Sequence, residues 1–473
     1  MRTYVNRRSF LAGVVSSAAF AFGSAPIGAV GETPRPRLGS GHGPTSSSHP
    51  FVFSTAPDIQ RFLDCSSASA ASAKRLAEAR CRSALAKMTD HASPFSGCTL
   101  NRYLSDLTDE HRGAAQAASS LALYACLHQL SGSAYGDREL AERAGSAAKL
   151  ILMNWAREGM REYGVFRAAL KQYCDEKGDV TLDTEFAIGL QLGRGVPYLI
   201  HATDLMLGAG RLHDGEGAEL DDFFRELFAL ILLSANFRAR RSNLDCNRYS
   251  NHVSVQLAAL IAIARFRRDR DGLADAAFGT GGQLAIPWVS QVSRAIYGPR
   301  QAALNCYRAG ASQDFVQNQT PVAGEIVDRF RARAEQTFGY PMLSLTHLLL
   351  GAKVLAASEF PTTASLVDAR SRLLAALTYY GEYFSRLLSP DEVRVPPGFR
   401  YPGSDQYTGK VVSRGGGATI EGRDGLLLPF LLGHALFPGS PGVEAVIRRA
   451  GQFAPDHQPF SAVSSLYVPD ICS

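Results

Sequence analysis

The stretch SNHVSVQLAALIAIARF, residues 250–266, sets the fold class. From Val253 to Phe266 it is strongly apolar, and its apolar residues recur near i, i+3, i+4 and i+7, the period of a helix and not of a strand. Ser250 or Asn251 offers an N-cap oxygen at its start. Upstream, the same period returns in Leu220–Leu233 and in Thr184–Met206, which ends near Gly208. It returns again in Ala71–Met88, Gly113–Leu130 and Asp137–Trp155, the last two separated by the turn-like Ser131-Gly132-Ser133. Downstream, Pro341–Ala357 and Ser365–Leu387 complete the set. Runs of period-two alternation are few, so an all-α chain is predicted. Successive helices with short connections predict antiparallel helix hairpins. Such hairpins can close into an α/α toroid, an incomplete helical barrel with a cleft where the loops gather. An open solenoid would leave a fixed sequence repeat, and none is seen. Two stretches interrupt the pattern: Asp90–Arg112, with Pro94 and Gly97, and the Pro- and Gly-rich Ser389–Gly425, with Gly415-Gly416-Gly417. Both read as irregular, either lids or plain surface connections.

The start of the chain carries a different signal. Asn6-Arg7-Arg8-Ser9-Phe10-Leu11 is a twin-arginine pair leading into a short apolar run that ends at Phe22. Residues 1–31 are therefore expected to be a twin-arginine signal peptide, cleaved between Ala21 and Gly31, with the mature protein periplasmic or secreted. Residues 32–50, rich in Pro, Gly and Ser, read as a flexible leader, and 51–473 as one domain. No mature stretch offers roughly 18 or more uninterrupted apolar residues, so no membrane span is expected. The formal charge is +5, but residues 1–31 hold Arg2, Arg7 and Arg8 and no acid, leaving 46 basic against 44 acidic side chains. That balance, without a basic stripe, argues against nucleic acid, while a local basic cleft for an acidic ligand stays open. Eight cysteines without C-x-x-C spacing argue against a zinc or thioredoxin-type site. An oxidising compartment would allow one or two disulfides beside buried thiols.

Three local constellations could carry chemistry. Asn251-His252 opens the apolar helix, where free N–H groups and partial positive charge suit a carboxylate; simple capping with a partly exposed His252 is the plainer reading. Arg333-Ala334-Glu335-Gln336-Thr337-Phe338-Gly339-Tyr340 would place Arg333, Gln336 and Tyr340 on one helical stripe. Pro341 disfavours helical geometry at Tyr340, so the helix is expected to stop at Gly339 and restart, with Tyr340 on the junction. A surface Arg–Glu pair and a core tyrosine would be the ordinary alternative. Asn101-Arg102-Tyr103-Leu104 lies in the first irregular stretch, where an arginine can grip a carboxylate bidentately and a tyrosine can stack on a sugar, or both can be ordinary loop residues. His201 and His347 sit inside apolar helices and read as core residues.

Taken in order along the chain, Arg102-Tyr103, Asn251-His252 and the Arg333-x-Glu335-Gln336-x-x-x-Tyr340 segment resemble the alginate lyases of α/α-toroid fold. His49-Pro50-Phe51 and Asn154-Trp155-Ala156 are lesser echoes, and the likeness covers roughly residues 50–360. The sequence departs from that pattern in several places. Val253-Ser254-Val255 replace the aromatic residues expected after the Asn-His pair, Gly339 stands where a histidine is usual, and the stretch from His252 to Arg333 is long. The resemblance implies a polysaccharide lyase acting on an acidic polysaccharide, alginate or a glucuronan-like uronan, without metal or organic cofactor and as a monomer. Asn251, His252 and Arg333 would neutralise the uronate carboxylate, with Arg102 as a fourth group and Tyr103 and Gln336 on the substrate. Tyr340 would be the acid, the base, or both. Two rivals remain. One is an inverting glycoside hydrolase, which needs two carboxylates across a cleft, with Asp183 and Glu185 or Asp221 and Asp222 available. The other is a non-catalytic periplasmic polysaccharide-binding or assembly protein.

Overall fold

A computed structural model describes residues 49–88, 100–159, 180–241, 245–301, 321–330, 339–385 apart from 359 and 362, 387–389, 392–394, 411–413 and 428–451, all within one compact unit, Leu38–Ser473. The expected signal peptide and most of the expected leader lie outside the described residues. The leader's last two residues, His49 and Pro50, are buried, so packed chain begins ahead of position 51.

In chain order the helices are α1 (Ala56–Asp64), α2 (Ala68–Ala86), α3 (Leu100–Leu130), α4 (Arg138–Asn154), α5 (Val180–Gly208), α6 (Asp214–Arg241), α7 (Asp245–Arg248), α8 (Asn251–Phe266), α9 (Arg270–Phe278), α10 (Trp288–Ala295), α11 (Gly339–Ala356), α12 (Ala364–Phe384), α13 (Leu428–Leu436) and α14 (Pro441–Gly451). The local chemistry of their ends is ordinary. Thr55 and Asp58 form a capping box on α1, and Ser67, Asp137, Asp269 and Thr363 cap α2, α4, α9 and α12 through their side chains. Gly279 takes the left-handed conformation that closes α9, at φ 77°.

The described residues are thus mostly helical, with two corrections to the expectation. The irregular stretch Asp90–Arg112 is helical from Leu100 onward, as the first part of α3. Leu100, Tyr103, Leu104 and Leu107 carry the helical apolar period there, and the surrounding polar residues hide it. Within the other irregular stretch, β1 (Leu387–Ser389), β2 (Glu392–Arg394) and β3 (Val411–Ser413) form a small antiparallel sheet with Val393 opposite both Leu387 and Val412. Strands this short give no alternation long enough to read.

The helices pack as a row of parallel members, each followed by a returning helix. Between α3 and α5, Ser119 Oγ lies 3.1 Å from His201 Nδ1, and further along Cys126 feels Asp204 and Arg211. Between α5 and α8, a Cβ built at Gly193 would sit 3.1 Å from Val255 Cγ1, so glycine eases a tight approach. Eleven residues later on each helix, at Asp204 and Phe266, both side chains contact His49. Between α8 and α11, Ser254 Oγ meets Ser344 Oγ at 2.8 Å, and Gly351 faces Ile261 one heptad on. Paired contacts that advance together in sequence define parallel neighbours. The return helix α6 runs the other way against α8: Ser234 accepts from Gln256 Nε2 at 2.8 Å, while Asp221 binds Arg267 at 2.7 Å. α12 is likewise antiparallel to α13, with Leu377 at Gly433 and Phe384 at Phe430.

This arrangement sorts the connections. Those leaving the C-terminal ends of the parallel row are short: 131–137, 209–213, 267–269, 357–363 and 437–440. The stretches that enter its N-terminal ends, 87–99, 155–179, 242–250, 296–338 and 385–427, include many residues outside the described ones. Cys65 and Cys246 are disulfide-bonded, whereas burial pushes the free thiols Cys81 and Cys126 up to about 12. No helix among the described residues is long and apolar enough to cross a membrane.

Candidate active site

α8 is buried along its whole length except at His252 and Arg265, one near each end. In the first two turns of α11 only Gly339 and Tyr340 reach solvent, and only in part. Because the two helices are parallel neighbours, both openings lie at the N-terminal end of the row. A small apolar cluster, separate from the main core, joins Leu190 of α5, Val255 of α8 and Leu343 of α11. His252 stands three residues ahead of Val255, and Tyr340 three ahead of Leu343. That spacing keeps a side chain on the same helical face, one turn nearer the N-terminus. His252 and Tyr340 therefore each stand one turn ahead of a member of this cluster, at the starts of neighbouring helices.

Two expectations about these helix starts change. Pro341 does not interrupt the helix: α11 begins at Gly339 and passes through it, so Tyr340 lies in the first turn and not on a junction. At that position the missing proline N–H would have had no intrahelical partner, so the ring costs little. At α8 the N-cap is Ser250, with extended φ −76° and ψ 168°, yet its side chain makes no capping bond. Asn251 is the first helical residue and is 1% exposed.

The α8 start is held from the side instead. Gln291 of α10, fully buried, donates through Nε2 to the carbonyls of Tyr249 and Ser250 at 2.9 and 3.2 Å and to Ser254 Oγ at 3.0 Å. Ser254 carries the chain of bonds on to Ser344 of α11. Sequence reasoning missed Gln291. Its one signal is an amide on the apolar face of α10, three residues after Trp288 and four before Ala295.

Both segments entering the site are anchored. Cys246, in the α7 turn just ahead of Asn251, is disulfide-bonded, and its Sγ lies 3.8 Å from the Val327 carbonyl. Residues 321–330, upstream of Tyr340, pack on α12. Glu325 accepts from the Tyr379 hydroxyl at 2.9 Å, and the Tyr380 hydroxyl accepts from the Ile326 N–H at 3.1 Å. Burial, and then the adjacent Glu325 carboxylate, push the Tyr379 phenol far above its usual range, leaving it a neutral donor.

The remaining expected residues divide. Arg102 and Tyr103 lie in the first turn of α3, at the same end of the row, with their side chains outside the described residues. Arg333, Glu335 and Gln336 lie outside the described residues altogether. Of the carboxylate pairs a hydrolase would need, Asp221 is bound by Arg267 at 2.7 and 3.1 Å and Asp222 by Arg225 at 2.8 Å, at the opposite end of α8. The side chains of Asp183 and Glu185 lie outside the described residues. His201 and His347 are core residues: the first shares a hydrogen bond with Ser119, and the second donates to the Leu343 carbonyl at 2.8 Å.

Chemically, a partly exposed imidazole and a partly exposed phenol stand at the N-terminal starts of neighbouring parallel helices, where helix dipoles favour an anion. No family model matches this chain, and no curated protein matches it.

Proposed function

We propose that this protein is a polysaccharide lyase that cleaves a uronic-acid polymer, of the alginate or glucuronan type, by β-elimination. The observation that supports this reading best is the placement of His252 and Tyr340 at adjacent helix starts over the Leu190–Val255–Leu343 floor. Elimination removes the C5 proton beside a carboxylate and expels the O4-linked sugar. An ionised carboxylate opposes the carbanion, so its charge has to be neutralised first. Preorganised donors each supply about 2.7–4 kcal/mol toward such a developing oxyanion.

Asn251 and His252 open α8, whose N-terminus would add to that effect, and Arg333 is assigned to the same group, with Arg102 as a fourth. Tyr340 takes or returns the proton, delivering it to the departing O4; for the opposite C5 stereochemistry His252 is the base and Tyr340 the acid. Tyr103 and Gln336 contact the sugar. The chemistry consumes no cofactor. The same reading takes the parallel row as the inner wall of an incomplete α/α toroid and the protein as an exported monomer.

The test is incubation with a panel of uronans while following ultraviolet absorbance from the new C4–C5 double bond. Silence on every uronan by folded protein would sink the lyase. Retention on an immobilised uronan without cleavage would mark a binding protein instead.

A further inference from the structure

We infer that Gln291, acting through Ser254 and Ser344, is a positioning residue that sets the approach of His252 to Tyr340; the inference rests on the proposed use of that pair. The other contacts given between α8 and α11 are apolar, as in Val255 with Leu343 and Ile261 against Gly351. Aliphatic interfaces of this kind tolerate small slides and repackings at little cost, so apolar packing alone leaves the register of two helices loosely specified. A buried polar layer removes that freedom, because any slide would leave its donors and acceptors without partners. Here the layer sits at one level. Gln291, Ser254 and Ser344 are all fully buried, and their bonds run from α10 to α8 at 3.0 Å and from α8 to α11 at 2.8 Å. His252 is two residues from Ser254, and Tyr340 is one helical turn from Ser344. The same Gln291 amide also grips the two carbonyls just ahead of Asn251. The layer therefore fixes the rotation and height of both helix starts without touching the substrate.

The experiment uses the full chain with Gln291→Met, which keeps volume and removes the donors, and Ser344→Ala, which removes one hydroxyl and guards against a Gln291 variant that does not fold. On a cleaved uronan, kcat is expected to fall about ten- to a hundred-fold in Gln291→Met with KM little changed, since small misplacements of reacting groups cost that much. Combined with Tyr340→Phe, the loss is expected to equal that of Tyr340→Phe alone, because the two act through one event. Independently of any activity, the ring proton resonances of His252 in the nuclear magnetic resonance spectrum are expected to move in both variants. They are expected to stay put in Leu260→Ala, a core variant of similar or lower stability. If the His252 resonances match wild type in both variants, the positioning role is overturned whatever the substrate proves to be. If they move but no uronan is cleaved, the lyase reading fails and the positioning role stands.

Discussion

The two ends of α8, about 24 Å apart for 16 residues, are built on opposite terms. At the C-terminal end Phe266 is buried against the His49 ring, at 5.8 Å between centroids. His49 hydrogen-bonds the buried Asp204 of α5, whose other oxygen accepts the backbone N–H groups of Phe51 and Val52 at 2.9 and 2.8 Å. Arg265 and Arg268 stack on Phe51, Arg267 holds Asp221, and three residues turn the chain into α9. At the N-terminal end the Ser250 side chain does not cap the helix, a buried amide from α10 steadies it, and His252 is partly exposed. At the first end Asp204, Asp221 and the surrounding arginines and rings tie α8 to α5, α6 and the start of the packed chain. The second end carries a partly exposed imidazole, with a partly exposed phenol at the start of the neighbouring helix.

The contrast makes sharp demands. The largest effect expected is on activity: Tyr340→Phe should lower uronan cleavage about 10²- to 10⁴-fold, the usual worth of a proton-transfer group. Its denaturant midpoint should remain at the wild-type value. A variant that cleaved at half the wild-type rate would end the assignment. Next comes Asp204→Ala, which strands His49 and two backbone donors in the core. Unfolding free energy should drop by about 3–5 kcal/mol, as for other broken buried networks, while activity per folded molecule holds. Loss of activity without loss of stability would show that the two ends are not separate in function.

The smallest effect is one of pH. Glu142 is held below its usual range by bonds from Arg211. Glu216 is held there too, since the His213 N–H and Lys149 outweigh the opposing effect of burial. Both lie near the closed end. A depressed folded pKa contributes stability above the ordinary glutamate range and loses it as pH falls through the lowered value. Denaturant midpoints should therefore decline on acidification below about pH 4.5, and the Glu142→Gln, Glu216→Gln double variant should show a flatter decline. An unchanged slope would remove these carboxylates from the account.

The helices were legible where apolar period is uninterrupted, as in Val253–Phe266 and Thr184–Met206, since the period is a local property of the chain. They were misjudged where polar residues diluted it, at Leu100–Arg112, and where pairing spans a loop, in the sheet of Val393 and Val412. Asn251, His252 and Tyr340 were proposed from a resemblance carried by short stretches of chain. Gln291 could not, because its importance lies in carbonyls some forty residues away. His49 read as leader because nothing local reveals Asp204, 155 residues on.

Composition and apolar period alone establish a mostly helical chain with a large core, because each depends on residues within a few turns of one another. Which helices run parallel, and that α8 and α11 start as neighbours beside the Leu190–Val255–Leu343 cluster, came from packing. These are relations between surfaces distant in sequence. Gly193, Gly351 and the Ser254–Ser344 bond select one such packing from many that the same apolar pattern would allow.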